Sequence, residues 1–373
     1  MSLPTSDTRH RAYLSTRVFA SLNGMRGLCI ASVVWHHVCT DQSIVLLTRG
    51  FLGVDMFFVL SGFLIVTLLL REKTLTGSIS LTNFYARRTL RIFPIYYLVL
   101  LSLFLLYLVF RSNTDAFTEY LRSLPFLVTY TSNWIEERSA NMGIMWSLAT
   151  EEQFYLVWPL IERSFPPFLI TITLTFVIAL NQLINFGFLD SAFASLYGHV
   201  PHLSILDTTF TPIALGAVLA HLLHEHSTFQ VCVRFLAERR TQVFLVSTLL
   251  VLLALWPADL SGMGRVLIQV NMMLLLGTLV VREDNSLRSL LTLPPLAYLG
   301  TVSYGLYMYH MFVLHVIHAL TDRFDYEAPP SVYFLLTLSL STFVAGVSFA
   351  YIESPLLRLK SRFSGNRVLA DPR

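Results

Sequence analysis

The chain has 373 residues, of which 54% are hydrophobic and only 13% charged, with a formal net charge of +3. Soluble domains average about a quarter charged residues, so an ordinary soluble domain is excluded. The apolar excess lies in several long runs with no charged stretch of domain length beside them, which predicts one polytopic, all-α membrane bundle. Cys29, Cys39 and Cys232 are too few and too scattered for a disulfide framework or a metal site.

Residues 1–21 are polar, contain Arg9, Arg11 and Arg17, and lack the apolar core of a cleavable signal peptide. They read as a cytosolic tail, with the first apolar run as its own signal anchor. Ten spans are expected, at about 22–40, 51–70, 92–110, 144–161, 166–185, 203–224, 241–257, 265–281, 296–320 and 331–352. The membrane domain is then 22–356, and 357–373 is a basic cytosolic tail. A shorter apolar piece, Tyr120 to Trp134, is interrupted by Pro125 and reads as re-entrant or interfacial. With both termini inside, this count leaves six of the 26 Lys and Arg residues outside: Arg49, Arg111, Arg122, Arg138, Arg265 and Arg323. Proline pairs at 166–167, 294–295 and 329–330 stand just before spans, where a missing amide does least harm. No internal repeat typical of inverted-repeat carriers is visible.

The first run, LNGMRGLCIASVVWHHVCT, holds Arg26 and His37 eleven positions apart. On a helix they face one way and stand roughly 16 Å apart, one at a membrane edge and the other deep in the bilayer. A histidine at that depth marks a site; a snorkelling arginine and a packed histidine pair are the plainer reading. The second run, GFLGVDMFFVLSGFLI, returns from the outer side and brings Asp55 to the depth of His37. An acid there would hold the imidazole of a general base, unless it only serves a helix end. Gly53, Ser61 and Gly62 read as small residues for close helix approach. In the inner loop FYARRTLRIFP, Arg88 and Arg91 share a helical face and would grip the phosphates of an anionic ligand or of lipid headgroups.

In MWSLATEEQFYLVWPL, Trp146, Glu151 and Glu152 crowd the outer start of the fourth span, the depth given to His37 and Asp55. Adjacent acids on a helix point about 100° apart, so at most one faces a cavity. Glu151 would orient a sugar hydroxyl and Trp146 stack on a sugar ring, or the acids simply open a helix. In the ninth run, GTVSYGLYMYHMFVLHVIH, Ser303, Tyr307 and His310 form one polar stripe on an apolar helix. Glu353, in AYIESPLLRLK, reads as an ion-pair partner of the basic tail. Paired-histidine, Walker and dinucleotide motifs are missing, as is the Gly-x-Ser-x-Gly elbow.

Six motifs in order resemble acyltransferase family 3, integral-membrane enzymes that O-acylate bacterial surface glycans and some secreted small molecules. They are LNGMRG with Arg26 and His37, GVDMFFVLSGFLI, Arg88 and Arg91 before IFP, WSLATEEQFYLVWP, GTVSYGLYMYH and YIESP. The resemblance implies about ten helices in the bacterial inner membrane. It also implies acyl-CoA, commonly acetyl-CoA, as cytosolic co-substrate, and a hydroxyl acceptor reached from outside: a glycan, a lipid-linked sugar or another glycosylated molecule. No metal and no nucleic acid are expected. By position, His37 resembles the essential histidine, as general base or transient acyl carrier, and Arg26 its partner. Arg88 and Arg91 resemble the arginine pair near the inner face and, with Arg26, are expected to bind the donor; Asp55 and Glu151 match the family's two acids and are expected to be catalytic with His37. Trp146, Ser303, Tyr307 and His310 complete the candidate site as substrate contacts. Asn23 stands where the family generally has Asp, removing a salt-bridge partner from Arg26, and Thr150 where it usually has an aliphatic residue. Family members with an extracellular catalytic extension are much longer, so this chain is expected to work alone or with separate polysaccharide-biosynthesis partners. The rival readings are a proton-coupled transporter or flippase of a glycan or small metabolite, and a non-catalytic receptor or scaffold.

Overall fold

A computed structural model of the chain describes residues 6–39, 48–135, 142–197, 210–256 and 260–363. Every regular element among them is helical, the arrangement in which an apolar segment satisfies its own backbone groups without water. In chain order the helices are α1 (Ser6–Ser15), α2 (Ala20–Val38), α3 (Leu52–Thr76), α4 (Leu81–Phe110) and α5 (Asp115–Val128). Then follow α6 (Met145–Ser164), α7 (Pro167–Asn185), α8 (Asp190–Tyr197), α9 (Thr211–His224) and α10 (His226–Leu236). Next come α11 (Arg239–Leu255), α12 (Gly262–Val281), α13 (Pro294–Thr301), α14 (Ser303–Arg323) and α15 (Pro330–Ser348), with two helices of four and five residues, Arg288–Leu291 and Ser354–Arg358, left unnumbered. The three proline pairs open α7, α13 and α15. Gly77, at φ 77°, stops α3 in the left-handed conformation that glycine adopts without a Cβ clash.

Five segments are long and apolar enough to cross a membrane: Arg49–Thr76, Leu81–Phe110, Pro167–Asn185, Gly262–Val281 and Pro330–Phe363. A sixth counts if α1 and α2, bent by 60°, form one broken span. The described parts of the ten apolar runs all fall on helices, with three differences in detail. α4 begins at Leu81, a full three turns before the expected start. The run 203–224 is helical from Thr211, and its earlier residues lie outside the described ones. The ninth run is broken at Val302 into α13 and α14. α6 is long enough to span, but Glu151, Glu152 and Glu162 dilute its apolar character.

α5 resolves the piece around Tyr120. Tyr120 Oη donates to the Leu100 carbonyl, while Tyr96 Oη and Tyr97 Oη donate to the carbonyls of Leu127 and Val128. The helix thus runs back antiparallel along α4, and after 14 residues it reaches the middle of that 30-residue helix. Tyr130, just past its end, has φ 54°.

α2 is the hub, touching α3, α13, α14, α15, the turn Arg288–Leu291 and the 3-10 turn before α3. Its fit against α13 is backbone to backbone: a Cβ added to Gly300 would stand 1.7 Å from the Asn23 carbonyl oxygen. The most extensive helix contact, α3 with α9, uses the same device from both sides. A Cβ on Gly62 would meet the Ile213 carbonyl oxygen at 2.0 Å, and one on Gly216 the Val59 carbonyl oxygen at 2.1 Å. Small residues drive such approaches where lipid removes most of the hydrophobic advantage of helix pairing. At the helix ends, Arg71 donates to the Tyr13 and Thr16 carbonyls and so fixes the link between α1 and α2. Arg87 holds the Phe363 carbonyl and pairs with Glu72 at 3.3 Å.

Candidate active site

α2, α3, α4, α6 and α14 enclose a cavity of about 100 Å³. Arg26 enters from α2, Arg88 and Arg91 from α4, Ser61 from α3, Ser147, Glu151 and Tyr155 from α6, and Ser303, Tyr304 and Tyr307 from α14. Glu151 is held at both oxygens: Ser61 Oγ donates to Oε1 at 2.8 Å and Tyr155 Oη to Oε2 at 3.3 Å. The Arg88 guanidinium lies over the Tyr155 ring, 4.7 Å from its centroid, in the geometry of a cation–π contact. None of Arg26, Arg88 and Arg91 donates to a protein acceptor or pairs with a carboxylate among the described residues. Three cations against one carboxylate leave the cavity positive, and a partly buried cation without counter-charge is costly. The cavity is chemically complementary to an anion with several acceptor oxygens.

Helix lengths explain why Glu151 joins the arginines and not His37 and Trp146, as the sequence suggested. α4 starts ten residues before Arg91 and would be about 45 Å long, so Arg88 and Arg91 sit within the bundle and not at its inner edge. On α6, Glu162 marks the far end, held by His221 at 3.2 Å, and Lys73 donates to its carbonyl. Glu151 stands eleven residues, roughly 16 Å, before it. The two levels coincide. Glu152 points elsewhere, as two adjacent helical acids must, and Trp146 packs edge-on against Phe58, 5.9 Å between centroids.

Asp55 is also reassigned. Its Oδ1 accepts from Arg265 Nη2 at 3.2 Å and its Oδ2 from Gln269 at 3.3 Å, both on α12. Arg265, expected at the outer surface, is 7% exposed. A buried carboxylate takes a cation when one is in reach, and the sequence reading weighed only His37 as that partner. Arg49, another expected outer arginine, is likewise turned inward, onto the carbonyls of Leu252 and Trp256.

The partner of His37 is His310. His37 Nδ1 lies 3.2 Å from His310 Nε2 and 3.0 Å from the Val33 carbonyl oxygen, and the two ring centroids are 5.0 Å apart. His36, next in line, is spent on the return of the chain, its Nδ1 donating to the Thr48 carbonyl at 2.8 Å. The stripe on α14 is therefore divided: Ser303 and Tyr307 line the cavity, while His310, one turn on from Tyr307, reaches His37. Tyr307 Oη donates to the Ile144 carbonyl at 2.9 Å and lies 2.7 Å from Ser147 Oγ. The sequence reading missed Tyr155 and gave Ser61 to packing. Tyr155 is legible in hindsight, because it follows Glu151 by one helical turn. Glu353 is buried with Oε1 unbonded and makes no ion pair among the described residues. No group of three or more His, Cys, Asp or Glu side chains placed to hold a metal ion occurs among the described residues.

The fold and the cavity define a helical membrane protein with a cationic internal site and, beside it, a pair of histidines of which His310 is buried and His37 half-buried. The acyltransferase domain of the acyltransferase 3 family matches residues 19–350, and the chain belongs to that family. It is 28% identical over 372 residues to a protein of Staphylococcus aureus strain COL whose name gives O-acetyltransferase activity provisionally. It is 25% identical over 364 residues to O-acetyltransferase OatA of S. aureus strain NCTC 8325. Each match covers 92% of this chain and 58% of the relative, so the chain spans less than two thirds of their length. No solved structure matches the chain significantly.

Proposed function

We propose that this chain is a membrane O-acyltransferase that moves an acetyl group from acetyl-CoA to a hydroxyl of a glycan, lipid-linked sugar or similar acceptor. The observation that carries the proposal is the cavity in which three guanidinium groups, those of Arg26, Arg88 and Arg91, converge on a lining with one carboxylate, Glu151. The family and the names of the relatives support the reaction class. The anion we assign to the cavity is the phosphate-bearing end of acyl-CoA. Guanidinium forks suit phosphate oxygens better than a point charge does.

In this reading residues 22–356 form the catalytic unit, with ten membrane helices and both termini in the cytosol of a bacterial cell, in its inner membrane. The donor enters from the cytosol, and its pantetheine arm runs past Tyr307 toward His37. His37 Nε2 takes the acceptor's hydroxyl proton as the oxygen attacks the thioester carbon. The C–S bond breaks with its electrons on sulfur, and the proton passes to the thiolate, giving ester and free CoA. In an acyl-histidine relay the same nitrogen carries the acyl group between the two steps. Glu151, fixed by Ser61 and Tyr155, holds the cationic site in shape and faces the donor. Tyr307 and Ser303 border the path to the histidines.

The test is equilibrium binding of acetyl-CoA to purified protein in nanodiscs, with CoA lacking its 3′-phosphate for comparison. Binding that weakens with added salt and about 100-fold in Arg88→Gln/Arg91→Gln supports the proposal, since each charged hydrogen bond contributes about 1.5–3 kcal/mol. Equal binding by wild type and the double variant contradicts it.

A further inference from the structure

Geometry assigns the protons of the histidine pair, in which His310 is buried and His37 half-buried. A carbonyl oxygen only accepts, so a ring nitrogen within hydrogen-bond reach of one must carry hydrogen. His310 Nδ1 lies 2.7 Å from the Tyr307 carbonyl oxygen, and His37 Nδ1 lies 3.0 Å from that of Val33. Both neutral rings are therefore protonated on Nδ1 and keep their lone pair on Nε2. The contact between them, 3.2 Å from His37 Nδ1 to His310 Nε2, then has one sense. His37 shares its N–H, and His310 accepts. His37 Nε2 is left as a bare lone pair with no partner among the described residues.

We propose that His310 is the positioning residue of His37. Its Nε2 lone pair takes the Nδ1–H of His37, aims the opposite nitrogen as the base, and faces the positive charge that forms when that nitrogen takes a proton. His310 neither gains nor loses a proton in the step. Its catalytic meaning rests on the acyl-transfer reading above, while the pairing itself does not.

A carboxylate holds the histidine in a Ser-His-Asp triad; here the Asp55 carboxylate is engaged by Arg265 and Gln269, and among the described residues no hydrogen bond joins it to His37. A neutral acceptor also suits the place. His310 is fully buried, and a second ionised group there would need a counter-ion of its own. The other titratable ring against His37 is His36, 5.3 Å away between centroids, already committed to Thr48. α14 thus carries both Tyr307, at the donor cavity, and His310, behind the base, one turn apart.

Two readouts test this. In full-length protein labelled with 15N-histidine in lipid bilayers, without donor or acceptor, NMR reports which nitrogen of each ring is protonated. The signals of His37 and His310 are identified by their loss in His37→Gln and His310→Gln. Protonation of both rings on Nδ1 is expected, and a His37 protonated on Nε2 overturns the proposal. The second readout is CoA thiol release. His310→Leu is expected to lower kcat about 100-fold with KM for acetyl-CoA unchanged. His310→Gln, whose amide oxygen stands where the lone pair stood, should recover most of that loss. Equal kcat in the two variants at matched amounts of folded protein overturns the proposal. If wild type releases no thiol, the acyl-transfer reading falls, and the nitrogen signals still decide the pairing.

Discussion

At the residue scale, the arginines and Asp55 make opposite predictions, although all are charged groups inside the bundle. Arg88 and Arg91 line the cavity, so under the proposed function replacing them should cost ligand more than fold. Arg88→Lys keeps the charge but loses the planar fork, and we expect it to raise KM for acetyl-CoA about tenfold with kcat held, as steady-state kinetics would show. Asp55 and Arg265 answer each other across α3 and α12. Asp55→Asn alone strands a buried guanidinium and should cost about 3 kcal/mol of stability. Asp55→Asn with Arg265→Gln should regain part of that, because neither group is then a lone charge. Thermal unfolding of the three proteins in one detergent checks the cycle, and additive losses would show that the two side chains do not interact. His37 and Asp55 also show why residue types were easier to read than residue pairs. That each was special followed from an ionisable group in an apolar run. Which group each one met depended on α12 and α14, more than 200 residues away in sequence.

At the element scale, α3 and α9 meet at Gly62 and Gly216, where the backbone of each helix occupies the volume of the other's missing side chain. Gly216→Ala pushes a methyl group onto the Val59 carbonyl and forces the helices apart. Overpacking of this kind costs typically 1–3 kcal/mol, and folded yield and melting temperature should fall. Gly77→Ala meets no neighbouring atoms within 4 Å and carries only the backbone cost of its left-handed φ, so it should lose less, about 1 kcal/mol. Helix starts were legible where proline pairs announced them, at α7, α13 and α15. The start of α4 was not, because Phe84, Arg87, Arg88 and Arg91 mix apolar and basic residues over three turns and read as loop. That misplaced start put the arginines at the edge of the bundle and Glu151 beside His37. The shortness of α5, 14 residues, was legible in the sequence, whereas Pro125, read as an interruption, lies within the helix.

At the scale of the whole molecule, the reading requires a donor side and an acceptor side. In a background without Cys29, Cys39 and Cys232, Asn113→Cys in the loop after α4 should react with a membrane-impermeant maleimide on intact cells. Ser78→Cys, in the loop before α4, should react only after permeabilisation. The reverse pattern would invert the bundle and place the donor on the wrong side. The central claim is that this bundle consumes acyl-CoA through His37, and it is tested most directly by free thiol release. Purified protein in nanodiscs is given acetyl-CoA and a panel of glycans and lipid-linked sugars, and wild type is compared with His37→Ala at equal folded amounts. Acceptor-dependent thiol release that falls at least 100-fold in His37→Ala is the predicted result. Equal release by the two proteins, or movement of a glycan across the bilayer with no acetyl-CoA consumed, would contradict the account.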